Sequence, residues 1–212
     1  MLKPILRDFP DVIETERLII RPPQPGDGRA LNEAVLESLE SLRPWMPWAR
    51  EAPSVEDSEE YCRRSYAQWI SREDLPLLLF LKDSDAVVGA SGLHPRNWDV
   101  PSFEIGYWRR TGFGQRGYIT EAVRAITHFG FKSVGARRIQ IRCDSRNGRS
   151  QRVAERVGYQ FEGEHRNNGL TQEGELRNLL VYSRISDLEL DAGVAATHDN
   201  VDVDETGAAV GR

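Results

Sequence analysis

With 212 residues, 39% of them hydrophobic and 29% charged, the chain has apolar material for one core and polarity enough for a soluble surface. Its longest apolar run, LPLLLFL at 75–81, has the length of a strand and falls well short of the eighteen or so residues of a membrane span. The two cysteines, Cys62 and Cys143, suit reduced core thiols better than a disulfide framework, and the opening MLKPILRDFP carries no apolar leader, so a cytoplasmic setting is expected.

The elements follow in chain order. Arg17 to Arg21 reads as a strand ended by Pro22 and Pro23; Asp27 then stands where it can cap a helix whose Leu31, Ala34, Val35, Leu39 and Leu42 recur at helical spacing. In LRPWMPW, Pro44 and Pro47 forbid regular helix and leave Trp45 and Trp48 in a loop. Ser54 with Asp57 forms a capping-box pattern for a second helix, with Cys62, Ser65, Tyr66, Trp69 and Ile70 on one side. LPLLLFLKDSDAVVGASGLH, two apolar runs about a charged turn, is a hairpin, and SFEIGYWRR a further strand alternating Phe103, Ile105 and Tyr107 against Glu104, Gly106 and Trp108. After a glycine loop, Tyr118, Ala122, Ala125, Ile126 and Phe129 share a helical face; RRIQIRCD alternates again through Ile139, Ile141 and Cys143. Asn147 can cap a short helix bearing Val153, Ala154 and Val157, closed by Gly158, and strands near YQFEGE and NLLVYSRI complete the order βααβββαβαββ. Residues 187–212, small and acidic without aromatics, read as a disordered tail outside the domain.

The charge is unevenly spread. Residues 109–152 carry eleven Arg and Lys against Glu121 and Asp144, a balance of +9, whereas the tail stands at −6. A basic block about a glycine loop points to an anionic ligand, set against the plainer reading of a solvated Arg-rich surface. The loop GFGQRGYIT contains Gly112, Gly114 and Gly117, the G-x-G-x-x-G spacing of a dinucleotide site, between a strand and a helix, and Asp144 ends the next strand where a ribose-binding acid belongs. Against a Rossmann fold, the flanking strands alternate where a buried parallel strand would run apolar, and too little chain follows for the remaining βαβ units. The loop's physics stands without that fold: the backbone N–H groups of Gln115, Arg116, Gly117, Tyr118 and Ile119 precede the helix's own hydrogen bonding and point toward an anion.

ETERLIIRP, LRPWMPW, EIGYWRRTGFGQRGYITEA and NGRSQRVAERVGYQFEGEHR, in that order, resemble the GNAT superfamily of acyl-CoA N-acyltransferases, in particular its RimJ/RimL branch of ribosomal-protein N-terminal acetyltransferases. The resemblance spans roughly residues 14–185 and implies a lead at 1–13, a catalytic domain at 14–186, and an α/β (α+β) GNAT fold. That fold is a twisted, mixed, mostly antiparallel sheet of about seven strands with flanking helices. It also implies acetyl-CoA as cosubstrate. The family's pyrophosphate loop Q/R-x-x-G-x-G/A falls on residues 114–119, with the central glycine at Gly117, while Gly114 and Ile119 depart from it. Tyr107, Trp108 and Arg109 are then expected along the pantetheine arm, Gln115 to Thr120 on the pyrophosphate, Asn147 as cap and cofactor contact, and Trp45 and Trp48 at the acceptor entrance.

For the chemistry, a backbone N–H between Ile105 and Trp108, aided by a bulge at Gly106, would stabilise the oxyanion, and Glu104 is the first candidate to accept the amine proton, ahead of Glu164 and His94. The family's tyrosine acid is replaced by Ala154, and the RimL-like alternative is Ser150 as hydrogen-bond donor to the thiolate. The expected acceptor is a protein N-terminal α-amine, possible alternatives being a small amine or antibiotic, or, outside enzymes, an RNA- or ribosome-binding module using the +9 block. Neither membrane nor nucleic acid is the expected partner. The four histidines have no metal-ligand spacing with cysteine, so no metal is expected, and a homodimer is left open.

Overall fold

The computed structural model describes residues 3–84 and 86–185. The acidic tail expected at 187–212 lies outside them. Strands β1 (Ile13–Glu14) and β2 (Leu18–Arg21) are followed by α1 (Gly28–Leu42), α2 (Val55–Ser71), β3 (Pro76–Leu81), β4 (Val87–Asn97) and β5 (Ser102–Arg109). Then come α3 (Tyr118–Phe129), β6 (Arg138–Asp144), α4 (Gly148–Arg156), β7 (Gln160–Leu170) and β8 (Leu176–Arg184). The eight strands form one sheet in the order β1-β2-β3-β4-β5-β6-β8-β7, in which β5–β6 is the parallel pair and the rest are antiparallel. Eight replaces the expected seven because β1 is two residues long, too short to show a period of two.

The sheet is covered on both faces, and β3 shows why its sequence is apolar throughout. Leu77 and Leu79 enter one core cluster with Ile105, Ile126 and Ile139, while Leu78 and Phe80 enter a second with Leu31, Val35 and Leu39 of α1. A strand buried on both sides cannot alternate. The larger cluster lies under α3 and α4. Trp69 of α2 is fully buried in it, packs edge-on against Phe9 with centroids 5.6 Å apart, and donates Nε1–H to Asp11 Oδ1 at 2.9 Å. Segment 3–12 thus closes the end of the core.

The capping box at α2 is complete, Asp57 N–H reaching Ser54 Oγ at 3.0 Å and Ser54 N–H reaching Asp57 Oδ2 at 2.9 Å. The helical face read for α1 is buried at all five positions. Two expectations are corrected. Asp27 does not cap α1 with its side chain: the carboxylate is taken up by the guanidinium of Arg21, at 2.7 and 2.9 Å, a bidentate geometry stronger than a neutral cap bond. On α2 the buried stripe is Ser58, Cys62, Ser65 and Trp69, while Tyr66 and Ile70 are exposed, because α1, β3 and segment 3–12 cover one narrow side of the helix.

Candidate active site

Strands β5 and β6 pair only where Ser102, Phe103 and Glu104 meet Arg138, Ile139 and Gln140, and then part. β6 follows β8 through six residue pairs, and β5 follows β4, so the sheet's twist is released as a wedge between them. Past Glu104 the inner edge of β5 presents main-chain groups with no strand partner on that side, and a cleft of about 460 Å³ opens there. The β4–β5 register is continuous from Gly89↔Arg109 to Pro95↔Phe103, so the bulge expected at Gly106 is absent; the loss of a neighbour, not a kink, frees this backbone. A larger hollow of about 630 Å³ lies along the exposed surface of α2, walled by the tips of Glu60, Arg63 and Arg64, and gathers no converging polar groups from other elements.

The glycine loop forms one end of the cleft. Gln115 and Gly117 both have left-handed backbone, with φ of 56° and 78°, and Gly117 is the residue from which α3 departs. This turns the first, unbonded N–H groups of α3 toward the cleft, where Gln115, Gly117, Tyr118, Ile119 and Thr120 are lining residues. The loop is held from both sides. Glu37 of α1 accepts Gly112 N–H and Arg110 Nε–H, each at 2.6 Å, and Ser38 Oγ accepts Thr111 N–H at 2.9 Å. From the other side Arg17 donates to the carbonyl of Arg116 at 2.8 Å and lies over the Tyr118 ring, while its Nε bonds Glu121 in the first turn of α3 at 2.7 Å. Burial works to raise the Glu121 carboxyl, yet hydrogen bonds from Thr15 and Arg17 hold it below its ordinary value. Arg116 itself points away from the lining, contributing through its carbonyl. Arg109, at the end of β5, lines the cleft, and its buried NH1 has no hydrogen-bond partner among the described residues.

On the α4 side, Asn147 Oδ1 accepts Ser150 N–H at 3.1 Å and so caps the helix as read from sequence. Tyr107 reaches across the wedge from β5, its hydroxyl 2.9 Å from Ser150 Oγ and 3.1 Å from Ser150 O. A carbonyl only accepts, so with the Tyr107 hydrogen on Ser150 O the serine hydroxyl is the donor to Tyr107 Oη, and its hydrogen must turn from there to serve another acceptor. Burial raises both the Tyr107 hydroxyl and the thiol of Cys143, which lies beside Ser150. Neither ionises near neutral pH.

On the opposite face Glu104 lines the wedge at the last paired residue; its Oε2 accepts Gln140 Nε2–H at 3.1 Å and Arg142 Nε–H at 2.8 Å. Among the described residues Oε1 accepts no hydrogen bond. The β4, β5, β6 and β8 positions form one cross-strand row here: His94 faces Glu104, Glu104 faces Gln140, and Gln140 faces Ser183. Trp45 lines the entrance and Trp48 does not; it is 50% exposed and packs on Trp108 at 6.1 Å between centroids. Gln172, at the β7–β8 turn, donates to the carbonyls of Arg43 and Met46, the latter at 3.1 Å, roofing the cleft with the loop after α1. Glu164 lies on the exposed edge strand, bonded to Asn178. Sequence reading missed Arg142 of β6 and, on β8, Arg177 and Leu179 as lining residues, the last two because β8 reaches the site only through its pairing with β6. Among the described residues no group of three or more His, Cys, Asp or Glu is placed to hold a metal ion, and no helix is long and apolar enough to cross a membrane.

The open α3 terminus, the unpartnered Arg109 NH1 and the free β5 edge fit a pyrophosphate carrying an extended amide arm. The comparisons agree. The acetyltransferase (GNAT) domain family matches residues 17–160. The putative ribosomal N-acetyltransferase YdaF of Bacillus subtilis is 29% identical over 172 residues, which is 79% of this chain and 91% of the relative. Among solved structures, a RimL ribosomal alpha-N-protein acetyltransferase in complex with coenzyme A superposes with a TM-score of 0.76 at 21% identity, over 83% of this chain and 98% of that one. The microcin self-immunity acetyltransferase MccE, in complex with acetyl-CoA and AMP, superposes with a TM-score of 0.75 at 19% identity, over 81% and 94%.

Proposed function

The chain belongs to the acetyltransferase (GNAT) domain family, as an enzyme that moves acetyl from acetyl-CoA to an amino group, and from that premise we propose that its acceptor is the N-terminal α-amine of a protein. The observation that carries this reading is the roof: Gln172 ties the β7–β8 turn to the loop after α1, whose Trp45 and Met46 line the cleft, and that bounded acceptor side supports entry of a slender chain terminus. The name of the YdaF relative points the same way. So does amine chemistry, because an α-amine of pKa near 7.7–8.0 is about one-third neutral at pH 7.5, whereas a lysine is only about 0.1% neutral.

Acetyl-CoA supplies an acyl group activated as a thioester. Gly117 and the start of α3 hold its pyrophosphate, Arg109 adds charge, and the free edge of β5 from Tyr107 to Arg109 pairs with its amides. The same edge offers main-chain N–H groups to the oxygen that gains charge when the amine attacks. Glu104 receives the amine through Oε1, being held in place through Oε2. Ser150, positioned by Asn147 and Tyr107, donates its hydroxyl hydrogen to the departing sulfur. That is a hydrogen bond; a serine is too weak an acid to transfer the proton outright.

Acceptor screening by thiol release tests the reading. Turnover of peptides beginning with Ser, Ala or Thr, without turnover of free amines, is expected. The reverse result would replace the protein terminus by a small amine, as the likeness to MccE would then suggest. Salt-dependent RNA binding, with no stabilisation by acetyl-CoA, would remove the enzymatic reading altogether.

A further inference from the structure

His94, ranked behind Glu104 as a proton acceptor on sequence alone, and Asp74 have no part in the function proposed above. Asp74 precedes β3 and His94 lies on β4, twenty residues later; Nδ1 of the imidazole is 2.7 Å from Asp74 Oδ1. A carboxylate is an acceptor only, so Nδ1 carries the hydrogen of this bond, and in the neutral ring Nε2 holds the lone pair. The ring lies flat over two glycines. A Cβ on Gly92 would stand 2.5 Å from its Cε1, and one on Gly106 would stand 3.5 Å from its Nε2. Any side chain at 92 would expel the ring. Gly106 is the cleft-lining residue two positions beyond Glu104, where β5 has just left β6. Asp74 therefore fixes Nε2 over the cleft-lining Gly106; His94 is not itself in the lining and reaches the wedge past that glycine, and among the described residues Nε2 has no hydrogen-bond partner.

We infer that His94, oriented by Asp74, is the group that takes the proton from the acceptor amine, directly or through one water. This rests on the reading of the β5–β6 wedge as the thioester site. The acceptor nitrogen forms its bond to the acetyl carbon, one proton leaves that nitrogen for Nε2 of His94, and the C–S bond breaks with its electron pair on sulfur. The thiolate, hydrogen-bonded by Ser150, regains a proton from the imidazolium or from water. Glu104 binds the amine and His94 deprotonates it. Imidazole suits the second task, being the side chain that ordinarily changes charge between pH 5 and 8. The charged and titratable groups about it are Asp74 from the α2–β3 connection, Tyr61 of α2 behind Asp74, Glu104 of β5, Arg96 of β4 and Arg142 of β6, the last two both bound to Glu104.

The experiment is the pH profile of kcat/KM for an acceptor that the native enzyme turns over, compared with His94→Gln and Asp74→Asn. The native profile is expected to fall on the acid side with a limiting slope of two protons, one lost by the acceptor amine itself and one taken by the imidazole. His94→Gln should lower kcat by about 10²-fold or more and leave only the one-proton slope that the acceptor imposes, with the thermal shift given by acetyl-CoA retained. Asp74→Asn weakens the acceptor that orients Nδ1–H, so kcat should fall while KM for acetyl-CoA and its thermal shift stay native, and Asp74→Glu should recover part of the loss, a rescue that a merely structural contact would not show. Glu104→Gln should instead raise KM for the acceptor. His94→Gln with the native acid limb and a kcat within about threefold of native would overturn the assignment while leaving the acetyltransferase reading intact. Failure of the native enzyme on every amine would overturn both.

Discussion

Replacing Gly117 tests the anion cradle at its most specific point. The residue has φ of 78°, and a Cβ built there meets only Arg17 NH2, at 3.6 Å. The protein therefore has room for a side chain, and the intrinsic cost is backbone strain, about 1–2 kcal/mol for an ordinary L-residue and less for Asn or Asp. Asn and Asp are nearly isosteric, so comparing Gly117→Asn with Gly117→Asp isolates charge. A carboxylate within ~5 Å of a phosphate is repelled by about 3 kcal/mol at an effective dielectric near 20, and solvent screening reduces this to ~2–3 kcal/mol, or about 30- to 150-fold in affinity. The assay is the melting temperature with and without acetyl-CoA. At a ligand concentration about 100 times the native Kd, binding adds about 2.7 kcal/mol, which in a domain of this size raises Tm by ~5–10 °C. For Gly117→Asp the same concentration should add under about 1 kcal/mol and a rise of no more than ~3 °C, while Gly117→Asn keeps most of the native rise. A full rise in Gly117→Asp would refute the placing of the pyrophosphate at this helix start.

Three further outcomes follow from the contacts. Ser150→Ala should lower kcat about 10- to 100-fold, the worth of a hydrogen bond to a charged group, with KM for acetyl-CoA unchanged in a thiol-release assay. Glu121→Gln should cost about 1–2 kcal/mol and ~3–6 °C in Tm, because it discharges the partner of Arg17 in the clamp on the glycine loop. The folded-state carboxyl lies below its ordinary 4.5, so this stabilisation is complete above that value and is lost as pH falls through the folded one; the gap in Tm between native and variant should be constant above pH 5 and shrink in acid. Gln172→Ala should raise KM for peptide acceptors several-fold and leave KM for acetyl-CoA alone; equal values for both proteins would remove the argument from the roof.

Much of the local structure is legible in the residues themselves. Ser54 and Asp57 name a helix start because a cap is a contact between neighbours in the chain, and the α1 stripe follows from a period of 3.6. The same reasoning fails where a distant group competes. Asp27 has the right residue type and place for a cap, but Arg21 claims its carboxylate; Gly106 has the composition of a bulge, but β4 pairs through it without a shift. The helix start at Gly117 and the Asn147 cap could be read directly, since each acts through its own or an adjacent backbone group. Arg177 and Leu179 could not, since no local pattern tells which strand β8 will join.

What the sequence determined by itself is the set of parts: a helix that must start at Gly117, a short capped helix bearing Ser150, strands with one polar face, and the resemblance that orders them. The tertiary structure decided which side chains meet at the cleft. Glu104 comes to line it because β5 and β6 separate immediately after that residue. His94 gains an orientation because the α2–β3 connection sets Asp74 beside it. Tyr107 meets Ser150 because α4 crosses the open wedge. Periodicity and capping are interactions over a few residues and are written locally; the wedge is produced by the twist and registry of a whole sheet, which no single segment encodes.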